Sequence, residues 1–209
     1  MRTYLRVCMT SGCIMAVVAA ACIIYGVPFH ALYSSYHAGP HIISLFSPDD
    51  APLEHLKRLI EHETQHIRIA AYRLTDEEVS NALIHAAYRG VDVEVIADAS
   101  ALEARYNKVL EMLTHGITVY VFPPLSHDES DHETRVGKNA LMHNKFMLFA
   151  SLSTVWTGSF NFTCAARTTN QENVVIIQDM HQVARYTEHF NLLKRRSTAL
   201  THLLRATTA

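Results

Sequence analysis

Two short stretches of this 209-residue chain hold the residue types that chemistry on a phosphate diester requires: His143-Asn144-Lys145 and Gly158-Ser159-Phe160-Asn161-Phe162-Thr163. Cleaving a diester takes a nucleophile, an acid for the departing oxygen and positive charge on the non-bridging oxygens. His143 supplies an imidazole that can attack phosphorus. Lys145 lies two residues on, so in an extended strand it projects from the same face. Ser159 and Asn161 repeat the two-residue spacing after a glycine turn, and both are phosphate-binding types. Glu172 opens the next β-rich run, where a carboxylate can accept from His143 Nδ1, fix its tautomer and raise its basicity. His143, Lys145 and Glu172 are thus the expected catalytic residues, and Lys145, Ser159 and Asn161 the expected phosphate ligands. The motif occurs once.

Other elements must position these groups. Leu53, Leu56, Leu59 and Ile60 share a helical face behind Pro48-Asp49-Asp50-Ala51-Pro52, a helix start with acidic capping and proline in the first turn. His66–Tyr72 reads as a strand. Thr75-Asp76-Glu77-Glu78 has the form of a capping box, and the helix it opens stops at Gly90. Strands over 91–96 and 117–121 flank a helix over 101–114. A polar loop over 122–140 leads to a strand over 142–149, then to strands near 154–157 and 172–177, and a closing helix covers about 180–195. Alternating strands and helices predict an α/β fold, an α-β-α sandwich around a mixed, largely parallel sheet. Trp156 and Phe160 are expected in its core.

Composition narrows the options. Hydrophobic residues make up 49% and charged residues 18%, so the chain can build a core. The net charge of −2 supplies no bulk basic field, and phosphate attraction must be local. Fourteen histidines leave catalysis, metal binding and pH response open. Arg2 and Arg6 precede a run without Asp, Glu, Lys or Arg that lasts to Asp49. Residues 8–29 reach the ~20 apolar residues of a spanning helix. Arginines on the leading side alone put the remainder across the membrane, in a periplasm-like compartment, or secreted if the segment is a cleaved signal. The expected organisation is an anchor or signal over 1–30, a linker over 31–48, the enzyme domain over 49–196 and a tail over 197–209. Cys8, Cys13 and Cys22 fall in the apolar segment. Cys164 stands alone in the remainder and reads as a small buried residue.

The motifs resemble those of the phospholipase D superfamily, His-x-Lys with Gly-Ser-x-Asn downstream, and the likeness extends over roughly residues 45–196. It includes Ile67–Tyr72, the Ala87–Val93 run, Met142–Phe146, Thr157–Thr163 and Glu172-Asn173. The nearest kinds are its small single-motif members, bacterial endonuclease-like and mitochondrial cardiolipin-hydrolase-like. The resemblance implies a phosphohistidine intermediate on His143 resolved by water, with no metal or other cofactor. Two motifs build one site in this family. A chain with one motif therefore implies a homodimer, with the two copies of His143 meeting on a two-fold axis. The substrate would be a nucleic acid or a phospholipid. One departure stands out: the family pattern continues His-x-Lys with Asp after a four-residue spacer, where this chain has Ala150. That motivates a second reading, a catalytically degenerate, membrane-tethered binding protein.

Three further features compete for attention. His62-Glu63-Thr64-Gln65-His66 matches the zinc-protease pattern His-Glu-x-x-His, which requires both histidines on one continuous helix. Here the helix is expected to end near His62, which makes the zinc reading remote. The acidic, histidine-bearing loop 127–133 reads as solvated surface. Lys194-Arg195-Arg196 reads as a solvated helix end.

Overall fold

The structure is a computed structural model that describes residues 40–123 and 140–206. The apolar N-terminal segment and the 127–133 loop lie outside the described residues. No helix among the described residues is long and apolar enough to cross a membrane.

Eight strands form one sheet in the order β1-β7-β6-β5-β2-β3-β4-β8. They are β1 (His41–Ser47), β2 (His66–Ala71), β3 (Asp92–Asp98), β4 (Thr118–Phe122), β5 (Lys145–Phe149), β6 (Thr154–Gly158), β7 (Glu172–Gln178) and β8 (Thr198–Ala199). The helices are α1 (Pro52–His62), α2 (Glu77–Tyr88), α3 (Val109–Thr114), α4 (Cys164–Thr168), α5 (Met180–Arg195) and α6 (Leu200–Ala206).

Period-two side-chain alternation splits the core into two layers. Ile67, Ile69, Met147, Phe149 and Trp156 face a cluster completed by Leu56 and Ile60 of α1, Val79 and Leu83 of α2 and Met112 of α3. Ala70, Phe146, Leu148 and Val155 face the other way, against Phe190 and Leu193 of α5. The α-β-α sandwich and the buried Trp156 and Phe160 are as expected.

The sheet corrects the expectation of a largely parallel arrangement. Only β2–β3 and β3–β4 are parallel. The pairs β1–β7, β7–β6, β6–β5, β5–β2 and β4–β8 are antiparallel. Helices return the chain between the parallel strands, whereas β5 and β6 are joined by the turn at 150–153, too short for a parallel crossover. The expected linker and tail are also corrected where the structure describes them. Residues 41–47 pair along all of β7. Thr198 and Ala199 add β8 at the opposite edge, and α6 follows. Neither segment has the strict alternation that marks a half-buried strand; their partners make them strands.

Local signals vary in how well they hold. Pro52 does start α1, but its N-cap is Ala51 at φ 46°, without a side-chain cap, while Asp50 accepts from the Phe46 N–H at 2.8 Å. Asp76, not Thr75, caps α2, accepting from the N–H groups of Glu78 and Val79. The helix expected over 101–114 is shorter: a 3-10 turn at Ala99–Ala101, then α3.

Candidate active site

The antiparallel half of the sheet builds the site. Lys145 at the start of β5 lies opposite Ala71 at the end of β2. Phe146 lies opposite Thr157 of β6, and Gly158 at the end of β6 lies opposite Val174 of β7. The starts of β5 and β7 and the ends of β2 and β6 therefore meet at one end of the sheet, carrying His143, Lys145, Glu172 and Ser159. The motif spacing thus converts into proximity through strand register.

Backbone contacts lock these segments. The Met142 N–H donates to Asp98 Oδ2 at 2.8 Å, and Asp98 Oδ1 accepts from the Ser100 N–H and Oγ at 3.0 and 2.6 Å. Asp98 is buried, so one carboxylate ties the approach to His143 to the end of β3. The Tyr72 N–H donates to the Asn144 carbonyl at 3.0 Å. A Cβ on Gly158 would lie 2.1 Å from the Asn173 carbonyl oxygen, so only glycine lets β6 and β7 close here. Beyond it, the Phe162 N–H donates to the Arg73 carbonyl, and the Phe162 carbonyl accepts from the N–H groups of Thr75 and Asp76. Buried Phe160 and Phe162 anchor the loop on either side of Asn161.

Tyr72 is the centre of the arrangement. The exposed His143 ring lies 4.4 Å from the Tyr72 ring, centroid to centroid, tilted by 56°. Lys145 Nζ lies 4.8 Å from the same centroid and the Arg73 guanidinium carbon 5.2 Å. Both are cation–π distances. Lys145 is only 7% exposed, and its Nζ donates to the His143 carbonyl at 2.7 Å. Burial lowers the Lys145 pKa below that of a free lysine, and the charge of Glu172 opposes the shift. His143 and Lys145 are therefore brought together as expected, around an aromatic ring.

The Glu172 carboxylate departs from expectation. It accepts from Ser159 Oγ at 2.6 Å and from Asn170 Nδ2 at 3.0 Å, rather than from His143. Ser159 Oγ also accepts from the Asn173 N–H at 3.0 Å, which makes the serine a clamp on Glu172. The physical reason is proximity. Ser159 sits beside Asn173 across the β6–β7 pair, whereas His143 precedes β5. Asn161 Oδ1 is buried and has no hydrogen-bond partner among the described residues, an unsatisfied group of the kind that marks functional sites.

Sequence reasoning missed Tyr72, Arg73 and Asp98 as site-forming residues. Asp98 carried a readable signal, an acidic side chain at the carboxyl end of a parallel strand, where α/β proteins place their sites. Tyr72 lay within a recognised strand, and only the register of β2 against β5 gives it a role.

The Ala150 position belongs elsewhere. Ala150 follows the far end of β5, roughly 20 Å from His143 at ~3.3 Å per residue. Its N–H donates to the His66 carbonyl at 3.2 Å. Glu63 holds this turn. Its fully buried carboxylate accepts from the N–H groups of Thr64, Gln65 and His66 at 2.7–3.2 Å, and Ser151 N–H reaches both its oxygens at 3.0–3.1 Å. Burial pushes the Glu63 pKa up, but the hydrogen bonds from Gln65, Ser151 and His66 outweigh it and hold the carboxyl below its ordinary range. The same contacts overturn the zinc-protease pattern. His62 ends α1 with Nδ1 on the Arg58 carbonyl at 2.7 Å, while His66 opens β2 and meets Asp92 at 3.1 Å. The histidines sit on different elements, and the glutamate between them is consumed by backbone donors.

Two other expectations are corrected. Cys164 is exposed, because as the first residue of α4 it faces away from the core; Arg167 Nη2 lies 3.7 Å from its sulfur. Lys194 is not simply solvated: it donates to Glu94 at 2.6 Å and lies 4.8 Å from the Tyr120 ring centroid.

A buried lysine, an exposed imidazole and a clamped carboxylate at one end of a mixed α/β sheet define a phosphate-handling class of protein, and sequence and fold comparisons agree. The family model "Cardiolipin synthase, PLD-like domain" matches residues 56–194. The chain belongs to the phospholipase D superfamily. A phospholipase D of Rickettsia typhi is 29% identical over 150 residues, covering 72% of this chain and 66% of that protein. A mitochondrial cardiolipin hydrolase of Xenopus tropicalis is 27% identical over 154 residues, covering 74% and 63%. The chain thus spans just under two thirds of either relative. The phospholipase D family member Nuc from Salmonella typhimurium superposes with a TM-score of 0.64 at 25% identity, over 77% of this chain and 98% of Nuc.

Proposed function

We propose that this chain is a phosphodiesterase in which His143 attacks phosphorus, expels the leaving alkoxide and forms a phosphohistidine that water then hydrolyses. The observation that carries the reading is the convergence of His143 and Lys145 on the Tyr72 ring, beside the Ser159–Glu172 clamp. Lys145 places a positive charge where the non-bridging oxygens would sit, and its one acceptor among the described residues, the His143 carbonyl, leaves ammonium protons for phosphate. Arg73 adds a second cation at the rim. The donors are those that grip an anion directly, so the proposed mechanism needs no metal and no other cofactor.

One protomer supplies one imidazole, whereas the reaction needs a nucleophile and an acid. A homodimer in which His143 of the second copy protonates the leaving oxygen completes the chemistry. Attachment through residues 8–29, with the enzyme domain on the non-cytoplasmic side, is the accompanying proposal for location. The degenerate-binding alternative rested on Ala150, and the distance of that residue from His143 removes its motive.

The test incubates the full chain and His143→Asn, with EDTA present, with single-stranded DNA, RNA, phosphatidylcholine and cardiolipin. The expected result is cleavage of a nucleic acid or a phospholipid by the wild type and a loss of at least ~10³-fold in the variant. No cleavage of any substrate by a folded dimer would refute the enzyme reading. Full activity from a strict monomer would refute the shared site.

A further inference from the structure

At the sheet end away from His143, a cleft of about 390 Å³ opens between α1 and the edge formed by β1, β7 and the β5–β6 turn. Four basic side chains line it: His41 from β1, and His55, Arg58 and His62 from α1. Spacings of three, four and seven residues put the α1 groups on one helical face. The floor is aliphatic, made by Ile43, Leu59 and Ile176. Among the described residues, no carboxylate lines the cleft. Of the nearby acids on α1, Glu54 pairs with Lys57, and Glu61 lines a different cleft, against α2. The polar residues that β6 and β7 contribute, Thr154 and Gln178, are uncharged.

We infer that this cleft binds a single-chain anionic amphiphile, its head group on Arg58 and the histidines and its alkyl chain on the aliphatic floor. Charge complementarity selects the head. Arg58 is permanently cationic, and His41 and His55 add imidazole groups to the same cleft. The aliphatic floor distinguishes this ligand from a bare anion, and the volume lies within the ~300–1,000 Å³ of ordinary ligand sites. His62 donates its Nδ1–H to the Arg58 carbonyl, so its other ring nitrogen donates to an anion only in the imidazolium form. The cleft shares no residue with the phosphodiesterase site, so this inference stands or falls independently of it.

The experiment is calorimetric titration of the full chain with decyl phosphate and with decanoate below their micellar concentrations. Decyl maltoside and inorganic phosphate are the controls. Both anionic amphiphiles should bind at neutral pH and low salt. Arg58→Gln combined with His55→Gln should weaken binding at least ~tenfold, the scale of a lost charge-assisted hydrogen bond. An unchanged melting temperature and circular dichroism spectrum of that double variant would certify its fold. Binding to the apolar N-terminal segment would survive both substitutions, so undiminished binding in the variant overturns the inference. Equal affinity for decyl maltoside, or for inorganic phosphate, overturns it as well. Preference between decyl phosphate and decanoate would identify the head group.

Discussion

The two ends of β5 handle charge in opposite ways. At its start, Lys145 is nearly buried with one acceptor among the described residues, and Asn161 Oδ1 in the neighbouring motif loop has no partner among them. Just past its end, Glu63 is buried deeper still, but N–H donors on both sides of the turn satisfy its carboxylate. Burial depresses the pKa of the lysine, whereas hydrogen bonding depresses that of the glutamate. The first end is left incomplete and ready for an anion. The second is complete and serves the fold. The contrast explains how the chain can lack the family's aspartate: that position falls at the structural end, where Glu63 reaches across from the end of α1 to hold the turn.

The largest expected effect probes the incomplete end. Lys145→Met should lower phosphodiesterase kcat/KM by at least ~10³-fold, since it removes the cation facing the developing phosphate charge. It should also raise the melting temperature at neutral pH. The sign follows from linkage: a lysine pKa lower in the folded than in the unfolded state means that the ammonium costs stability below the folded pKa, and the cost fades as pH rises through it. A variant both inactive and less stable would break the comparison.

Glu63→Ala comes next and probes the complete end. It strands the N–H donors of Thr64, Gln65, His66 and Ser151, and about 3 kcal/mol should be lost in denaturant unfolding. The wild-type advantage should be fully present above the unfolded carboxyl pKa, near 4.5, and should vanish as pH falls through the lower folded pKa. Activity per folded molecule should stay near wild type. An advantage that persists at pH 2 would show that the carboxylate's charge is not what holds the turn.

The smallest effect sharpens the boundary. Restoring the family residue with Ala150→Asp should leave kcat/KM within about twofold, and should cost up to ~1 kcal/mol by placing a second carboxylate near Glu63. A tenfold gain in activity would show that the far turn is coupled to the site.

How far the sequence could be read differs by element. The helix over 180–195, the motif loop and the Lys145–Phe149 part of the strand expected over 142–149 were legible, because apolar runs, helical spacing and glycine are local signals. The strands β1 and β8 were not, because their partners lie far along the chain or across the sheet. The pairing of Glu172 was misread for the same reason. The sequence suggested His143 as the partner of its carboxylate, and strand register brings Ser159 there instead.

By itself the sequence determined which chemical groups are present: an imidazole, a lysine, a serine and an asparagine at strand-compatible spacing, enough to place the chain among phosphate-handling proteins. Only the tertiary structure decided their arrangement. It set Tyr72 as the surface on which His143 and Lys145 meet, Asp98 as the tether of their strand, and Glu63 as the support for a turn that lacks its aspartate. Residue type is a local property of the chain. Register, burial and hydrogen-bond partnership exist only once distant segments have packed.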